Sequence, residues 1–405
     1  MFMSGYLPFV LALALCLTSG CIKLPTAPPQ SPSPGEVFDL QKLKSIGLVI
    51  DKARNEKRLP GGVLWVERNG VHFTEAYGHA SVVPIHSPAQ PDTIYDAASL
   101  TKVVATTPAV LLLHERGKLS IDDPVRKYLP AFTGSGRDQV TLRHLLTHTS
   151  GLRPDISLAG WNGHAECIAK CIAEKLRSKP GENFRYSDIN FQLLDEIIRR
   201  VTNRRLDLFC EKEIFGPLKM IDTGYNPPVE KRRRVAPTTV TNGKALQGIV
   251  HDPRARKTEG VAGHAGLFTT APDLARYSKM LLQGGKLEGP RLFNPETVKL
   301  MTTVQTPSAL SLRRGLGWDI DSGYSSPRGS VFPLGSYGHT GFTGTSIWID
   351  PFSKTFVIFL CNRIHPLEKS PSVSPLRRVI GTLAAEAVKG FDFDNVAGAL
   401  PVRDT

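Results

Sequence analysis

Ser99-Leu100-Thr101-Lys102-Val103-Val104 opens an apolar run that continues through Leu111-Leu112-Leu113, the pattern of a buried helix. Three residues make nearly one helical turn, so Ser99 and Lys102 share a face, hydroxyl beside amine. Lys102 stands near the positive end of the helix dipole, and both that dipole and burial disfavour its ammonium form. A neutral or proton-sharing lysine that activates the serine as nucleophile is therefore expected. Taken alone, the pair reads equally well as a solvated first turn. Pro108 falls inside the same helix, where an interior proline costs about 3 kcal/mol unless a distortion is built in. A kink one or two turns past Lys102 is the expectation.

Working outward, Leu40, Leu43, Ile46 and Ile50 recur at three and four residues and predict an amphipathic helix ending before Pro60. Val63 to Glu67 and Val71 to Tyr77 are strand-like and flank Asn69-Gly70, the dipeptide best suited to a tight hairpin turn. A long middle of helical periodicity follows, for instance Phe191, Leu194, Ile197, Ile198 and Val201, then Leu274 to Leu282. Strands return at Thr345 to Ile349 and Thr355 to Leu360, around Asp350-Pro351, and a helix closes the pattern over Leu376 to Val388. Strands at both ends with helices between predict an α+β fold: one antiparallel sheet built from the two chain ends, with a mainly helical lobe inserted and the active cleft between the lobes.

Two further clusters carry chemistry. Tyr186-Ser187-Asp188 stands at the entrance of the Phe191 helix, where the phenol, set near two cations, is expected to lose its proton and serve as base and acid. A helix entrance capped by Asp188 is the plainer reading. His339-Thr340-Gly341 leads into the strand from Thr345, and its glycine lets a substrate lie against the strand edge. The backbone N–H groups of Ser99 and Phe342 then make an oxyanion hole. A loop histidine before a strand is the plainer alternative here.

Ser-x-x-Lys, Tyr-x-Asp and His-Thr-Gly in this order resemble the three motifs of the class C β-lactamases, the D-Ala-D-Ala carboxypeptidases and other penicillin-binding proteins, and related esterases. The resemblance extends to Gly117 to Val125, Thr141 to Leu152, Gly263-His264-Ala265-Gly266-Leu267-Phe268, Gly315-Leu316-Gly317-Trp318 and Gly338 to Pro351, and covers roughly Leu40 to Lys389. It implies a β-lactamase/transpeptidase-like fold over 37–395, with an α/β lobe at about 37–110 and 300–395 and a helical lobe at about 111–299. It also implies a serine hydrolase that forms an acyl-enzyme on Ser99. Lys102 and Tyr186 share the base role, while His339, Thr340, Gly341 and Asp188 line the substrate cleft with Phe342. No cofactor and no metal are called for. His148, His251 and His264 read mainly as structural, His264 also as a cleft wall. Two departures bear on substrate. His339 stands where the β-lactamases carry Lys, and a neutral imidazole holds a substrate carboxylate less firmly than an ammonium. Asp188 replaces the usual Asn, and an ionised carboxylate cannot donate to a substrate amide carbonyl. The expected substrate is a D-amino-acid cell-wall peptide or a small ester; the rivals are a genuine β-lactamase and a penicillin-binding sensor acylated without turnover.

The rest of the chain bounds the setting. With 405 residues, 41% hydrophobic and 21% charged, it is globular with a sizeable core. The net charge of +13 is scattered, and the run Lys231-Arg232-Arg233-Arg234 lacks interleaved aromatics, which argues against nucleic acid as partner. Leu7 to Leu17 is an apolar run of 11 residues, the length of a signal-peptide core. Thr18-Ser19-Gly20-Cys21 resembles a bacterial lipobox, with Cys21 as the lipidated residue and a membrane anchor. Thr18 stands where Leu is usual, and no Lys or Arg precedes Leu7. Residues 1–20 are thus expected as a signal peptide and 21–36 as a Pro-rich extended tether, in an exported, periplasmic or envelope protein. Cys167 and Cys171, with His164 just before them, lack a second ligand pair at zinc-like spacing. With Cys210 and Cys361 they are expected as small buried side chains, with room for one disulfide.

Overall fold

The structure, a computed structural model, describes residues 32–402 apart from 242 and 290, together with residues 1, 2 and 5. Most of the expected signal peptide, Cys21 and most of the tether lie outside the described residues. The compact body begins at Ser33 rather than at 37. Residues 34–36, expected as the extended end of the tether, instead form with Val37 one helical turn, with Ser33 and Glu36 capping each other's backbone.

Five helices and five strands position the site. The helices are α1 (Leu40–Asn55), α2 (Thr107–Glu115), α3 (Asp188–Thr202), α4 (Ala271–Leu282) and α5 (Ser374–Glu386). The strands are β1 (Gly61–Arg68), β2 (Val71–Ser81), β3 (Tyr337–Thr340), β4 (Ser346–Asp350) and β5 (Thr355–Cys361). Asp39 starts α1 by accepting the Gln41 and Lys42 N–H groups at 2.9 and 3.2 Å, and Lys52 and Arg54 complement the dipole in its last turn. β1 and β2 pair in register from Arg68 opposite Val71, and the turn between them puts both Asn69 (φ 51°) and Gly70 (φ 85°) in the left-handed region.

The sheet has eight strands in the order Ser87–Pro88, β2, β1, β5, β4, β3, Asp319–Asp321, Arg313–Arg314. Within it β1 pairs with β5, so the two ends of the chain meet in one antiparallel sheet as expected. Its faces alternate residue by residue. Leu64, Val66, Trp348, Val357 and Phe359 pack against α1 and α5. Val63, Trp65, Ile347, Ile349, Ile358 and Leu360 join the larger core with α2, α3 and α4. A strand slipped by one residue would exchange the two sets, so burial on both faces holds the register and with it the place of His339 and Thr340.

The four body cysteines are free and buried. The single disulfide allowed for in the sequence is not formed among them. Cys171 donates to Gln192 Oε1 at 2.8 Å, Cys210 to the Ala105 carbonyl at 3.6 Å and Cys361 to the Gly344 carbonyl at 3.4 Å.

Candidate active site

The site is built where the Ser99 turn, the start of α3 and the β3–β4 turn meet. Ala98 holds a left-handed φ of 48°, and the N–H groups of Leu100, Thr101 and Lys102 then bond the carbonyls of Ala97, Ala98 and Ser99 at 3.0–3.1 Å. A non-glycine residue in that region stores strain that the surrounding packing must hold. Residues Lys102–Thr106 continue as a π-helical turn, with the Thr107 N–H reaching back to the Lys102 carbonyl, and α2 follows. Pro108 explains the wider turn: it has no N–H to return, and its ring would crowd the Val104 carbonyl in a regular α-helix. The distortion expected one or two turns later therefore begins at Lys102 itself. In this register the Val103 carbonyl would need the N–H that Pro108 lacks, and the Tyr277 hydroxyl of α4 supplies a donor at 2.8 Å instead.

Lys102 is fully buried and its Nζ has three close oxygens: Asp188 Oδ1 at 2.7 Å, the His264 carbonyl at 2.9 Å and Ser99 Oγ at 3.1 Å. The contacts to the His264 carbonyl and Ser99 are hydrogen bonds, and the one to Asp188 is an ion pair. Burial opposes the charge, but the Asp188 carboxylate and the Tyr186 phenol outweigh it and hold Lys102 above the ordinary lysine range. Of the two forms expected, the neutral lysine is disfavoured, because Asp188 and Tyr186 together outweigh burial, and the proton-sharing one is left. Tyr186 is corrected in the same sense. Burial raises its phenol further than the ammonium of Lys102 lowers it, with Asp188 adding to the rise, so the resting group is a phenol and not a phenolate. It faces one cation, not two, with Lys102 Nζ 5.0 Å from its ring centre and the hydroxyl engaged by Lys102 and Ser99.

Its ring is fixed by stacking. His148 lies against it with centroids 4.4 Å apart, and Tyr324 covers it at 5.5 Å. The His148 Nδ1 accepts the Ser187 N–H at 3.1 Å, and burial with the nearby Arg314, Lys102 and His339 keeps that imidazole neutral. His148 is structural, as expected, yet it works directly on Tyr186.

His339 and Thr340 lie on β3 itself, paired with Ile347 and Ser346, so the motif ends a strand and turns into the next rather than leading into one. Burial, then Arg314 and Lys102, push the His339 imidazole well below its usual value. Its Nδ1 lies 2.9 Å from the Thr340 carbonyl; a carbonyl only accepts, so Nδ1 carries the hydrogen and Nε2 is an acceptor. Gly341 has a different job from the one expected. A Cβ there would lie 2.2 Å from Thr345 Oγ1, 2.7 Å from the Ala97 carbonyl and 3.3 Å from Ala98 Cβ. The glycine lets the β3–β4 turn close onto the backbone before Ser99, which sets the Phe342 and Ser99 amides on neighbouring segments. Among the described residues neither amide donates to a protein acceptor.

Arg377 and Arg363 clamp that turn. Arg377 Nη2 donates to the Gly341 and Thr345 carbonyls, both at 2.8 Å, and Arg363 Nε to the Phe342 carbonyl at 2.9 Å. Burial pulls the Arg377 guanidinium down to about 10. With Arg314, itself paired with Asp319, they line one side of a cavity of about 510 Å³ that reaches Ser99, Tyr186 and Phe342 and also takes in Glu368. A second cavity of about 360 Å³ shares those three residues and runs to Asp188, Asp252 and His264. The sequence reading missed Arg314, Arg377 and Tyr324. One signal was present: Arg377 sits on the apolar face of α5 with Leu376 and Ile380, where a charge needs a reason.

A serine hydroxyl beside an ammonium and a phenol, with two free amides, on this α+β frame fits a serine hydrolase. The chain belongs to the β-lactamase family, whose model matches residues 48–382. A protein of Escherichia coli (strain K12) named "Putative D-alanyl-D-alanine carboxypeptidase" is 31% identical, over 96% of this chain and 97% of its own. Among solved structures, "A class C beta-lactamase" superposes with a TM-score of 0.71 at 22% identity, covering 87% of this chain and 98% of that one. "EstCE1, a hydrolase with promiscuous acyltransferase activity" superposes with a TM-score of 0.68 at 22% identity, over 85% and 99%. At these identities the structural likeness establishes the fold.

Proposed function

We propose that this protein cleaves a D-amino-acid cell-wall peptide or a small ester through an acyl-enzyme on Ser99. The observation that carries the reading is the contact of Ser99 Oγ with Lys102 Nζ at 3.1 Å beside the Tyr186 hydroxyl, in a cleft where the Ser99 and Phe342 amides are free. Ser99 attacks the carbonyl, its proton leaves through Tyr186 and Lys102, and the two amides hold the oxyanion. The tetrahedral adduct collapses, Tyr186 protonates the leaving amine or alkoxide, and water releases the acyl group by the reverse path. Arg363 and Arg377, whose hydrogen bonds go to backbone carbonyls and not to carboxylates, suit a leaving group that ends in a carboxylate, as a cell-wall peptide does, and the name of the E. coli relative supports the same choice. The neutral acceptor at His339 separates this site from one with an ammonium there. Export and lipidation at Cys21 belong to the same proposal, supported by the apolar run Leu7 to Leu17 and the residues before Cys21.

The test is to incubate the protein and its Ser99→Ala variant with a fluorescent penicillin, a D-alanyl-D-alanine peptide and a simple aryl ester, following intact mass and product. Ser99-dependent release of D-alanine or of the aryl alcohol supports the proposal. A Ser99 adduct with no turnover of any substrate replaces it with a penicillin sensor, and fast turnover of penicillin alone replaces it with a β-lactamase.

A further inference from the structure

We propose that Asp188 is the proton store for Lys102, so that the reacting base is the Lys102–Asp188 pair and not the lysine alone. The proposal rests on the acyl-enzyme reading above and extends it to the residue that differs from the usual asparagine. As an ammonium Lys102 has no vacant electron pair; its Nζ donates to the His264 carbonyl and Ser99 and lies in ion-pair contact with Asp188 at 2.7 Å. It accepts a proton only after giving one away. The two carbonyl-type neighbours differ in what they can take: a peptide carbonyl cannot hold a proton in water, whereas a carboxylate can. Asp188, 2.7 Å away, is the acceptor the geometry supplies. It occupies the first position of the 15-residue α3, where the helix dipole steadies the carboxylate, and its side chain is 22% exposed.

The step balances as follows. The Ser99 O–H bond breaks as Oγ bonds to the substrate carbonyl carbon, and the carbonyl electron pair becomes the oxyanion. The serine proton moves to the Tyr186 oxygen, the Tyr186 proton to Lys102 Nζ, and one Lys102 proton to Asp188. Lysine stays an ammonium, Asp188 becomes neutral and the oxyanion carries the negative charge, so the net charge is unchanged. On collapse the protons return in the opposite order and the leaving group takes one from Tyr186.

The charged and titratable groups facing Asp188 come from four elements. Lys102 faces it from the π-turn and Tyr186 from the segment before α3. Asp155 faces it while paired with Arg254 at 2.7 Å, and burial together with the Asp188 charge pushes Asp155 up to about 7. His264, paired with Asp252 at 3.0 Å, faces it from the fourth. None of these other groups touches Lys102 with a free carboxylate.

Asp188 acts through Lys102 and is a positioning residue, so its test must read more than rate. The rate of Ser99 acylation by fluorescent penicillin is measured across the acid, neutral and alkaline range for the full chain, Asp188→Asn and Asp188→Glu. In the natural protein the acid limb follows a carboxylate. Without one, reaction must wait for the amine itself to lose a proton, so the acid limb of Asp188→Asn moves up by at least about one pH unit, with roughly tenfold or greater loss at neutral pH recovered in alkali. Asp188→Glu returns the limb toward its original place. A uniform loss with the limb unmoved, or a limb that moves down, overturns the proposal. The ammonium of Lys102, followed by nitrogen-15 NMR, reads the pair without turnover: its titration falls to lower pH in Asp188→Asn, and an unchanged titration overturns the proposal even where the variant is inactive at every pH. Absence of any Ser99 adduct in the natural protein would instead remove the acyl-enzyme reading, and the NMR titration would still decide the pairing.

Discussion

Replacing Arg314 with methionine is expected to cost about 3–5 kcal/mol, because it strands a buried carboxylate. Arg314 is fully buried, and its partner Asp319, 1% exposed, lies at 3.2 Å. Arg314 also donates to the Gly317 carbonyl at 3.0 Å, while Asp319 keeps only the Ser322 and Ser325 hydroxyls at 2.7 and 2.8 Å once the guanidinium is gone. Methionine fills much of the volume, so the loss is electrostatic rather than a cavity. For a chain of 405 residues, the unfolding entropy of about 2.1 cal/mol/K per residue converts this to a fall in melting temperature of roughly 4–6 °C. The assay is calorimetry on Arg314→Met, Asp319→Asn and the double variant. The double is expected to cost less than the sum of the singles by about 2 kcal/mol, since the second change removes the stranded charge. Function reports on the same change. After burial, Arg314 is the main group depressing the His339 and His148 imidazoles, so both titrate at higher pH in Arg314→Met, visible by NMR. A loss under about 1 kcal/mol with no coupling to Asp319→Asn would refute the reasoning.

Stability against pH should report the His264–Asp252 pair. Burial opposes the imidazolium but Asp252 at 3.0 Å outweighs it, raising His264 from 6.5 to about 9, so its contribution is full below 6.5 and is lost as pH rises through about 9. That window is worth about 3 kcal/mol, and urea unfolding of His264→Gln should show a correspondingly flatter pH dependence; identical curves would count against the pair. Gly344→Ala should destabilise by about 2–5 kcal/mol, from left-handed strain and overpacking. The residue has φ 123°, and a Cβ there would lie 2.4 Å from Cys361 Sγ and 2.9 Å from the Cys361 carbonyl oxygen. Adding Cys361→Ala should recover the sulfur contact only, leaving the melting point between the two. Tyr186→Phe removes the proton conduit and should slow Ser99 acylation by roughly 10²–10⁴-fold with little change in melting temperature; an unchanged rate would place the proton path elsewhere.

The frame of this protein could be read from periodicity because it obeys local rules. Short apolar runs bounded by turn residues gave β1, β4 and β5, three-and-four spacing gave α1, α3, α4 and α5, and Asn69-Gly70 gave the hairpin. The position of the π-turn was half legible: Pro108 demanded a distortion, but its start depended on Tyr277, far along the chain, offering a hydroxyl to the Val103 carbonyl.

What the amino-acid sequence offered by itself was the candidate cast, Ser99, Lys102, Tyr186, Asp188, His339 and Gly341, and their order. What only the tertiary structure decided was their protonation and their partners. Lys102 is an ammonium because α3 brings Asp188 to 2.7 Å, and Tyr186 is a phenol because burial and that same carboxylate outweigh one cation. Gly341 is needed for the space occupied by Ala97, Ala98 and Thr345, and the turn beyond it is held by Arg363 and Arg377 from the end of the chain. Charge state depends on the sum of burial and of charges from distant segments, and a linear sequence shows which groups exist but not which of them meet.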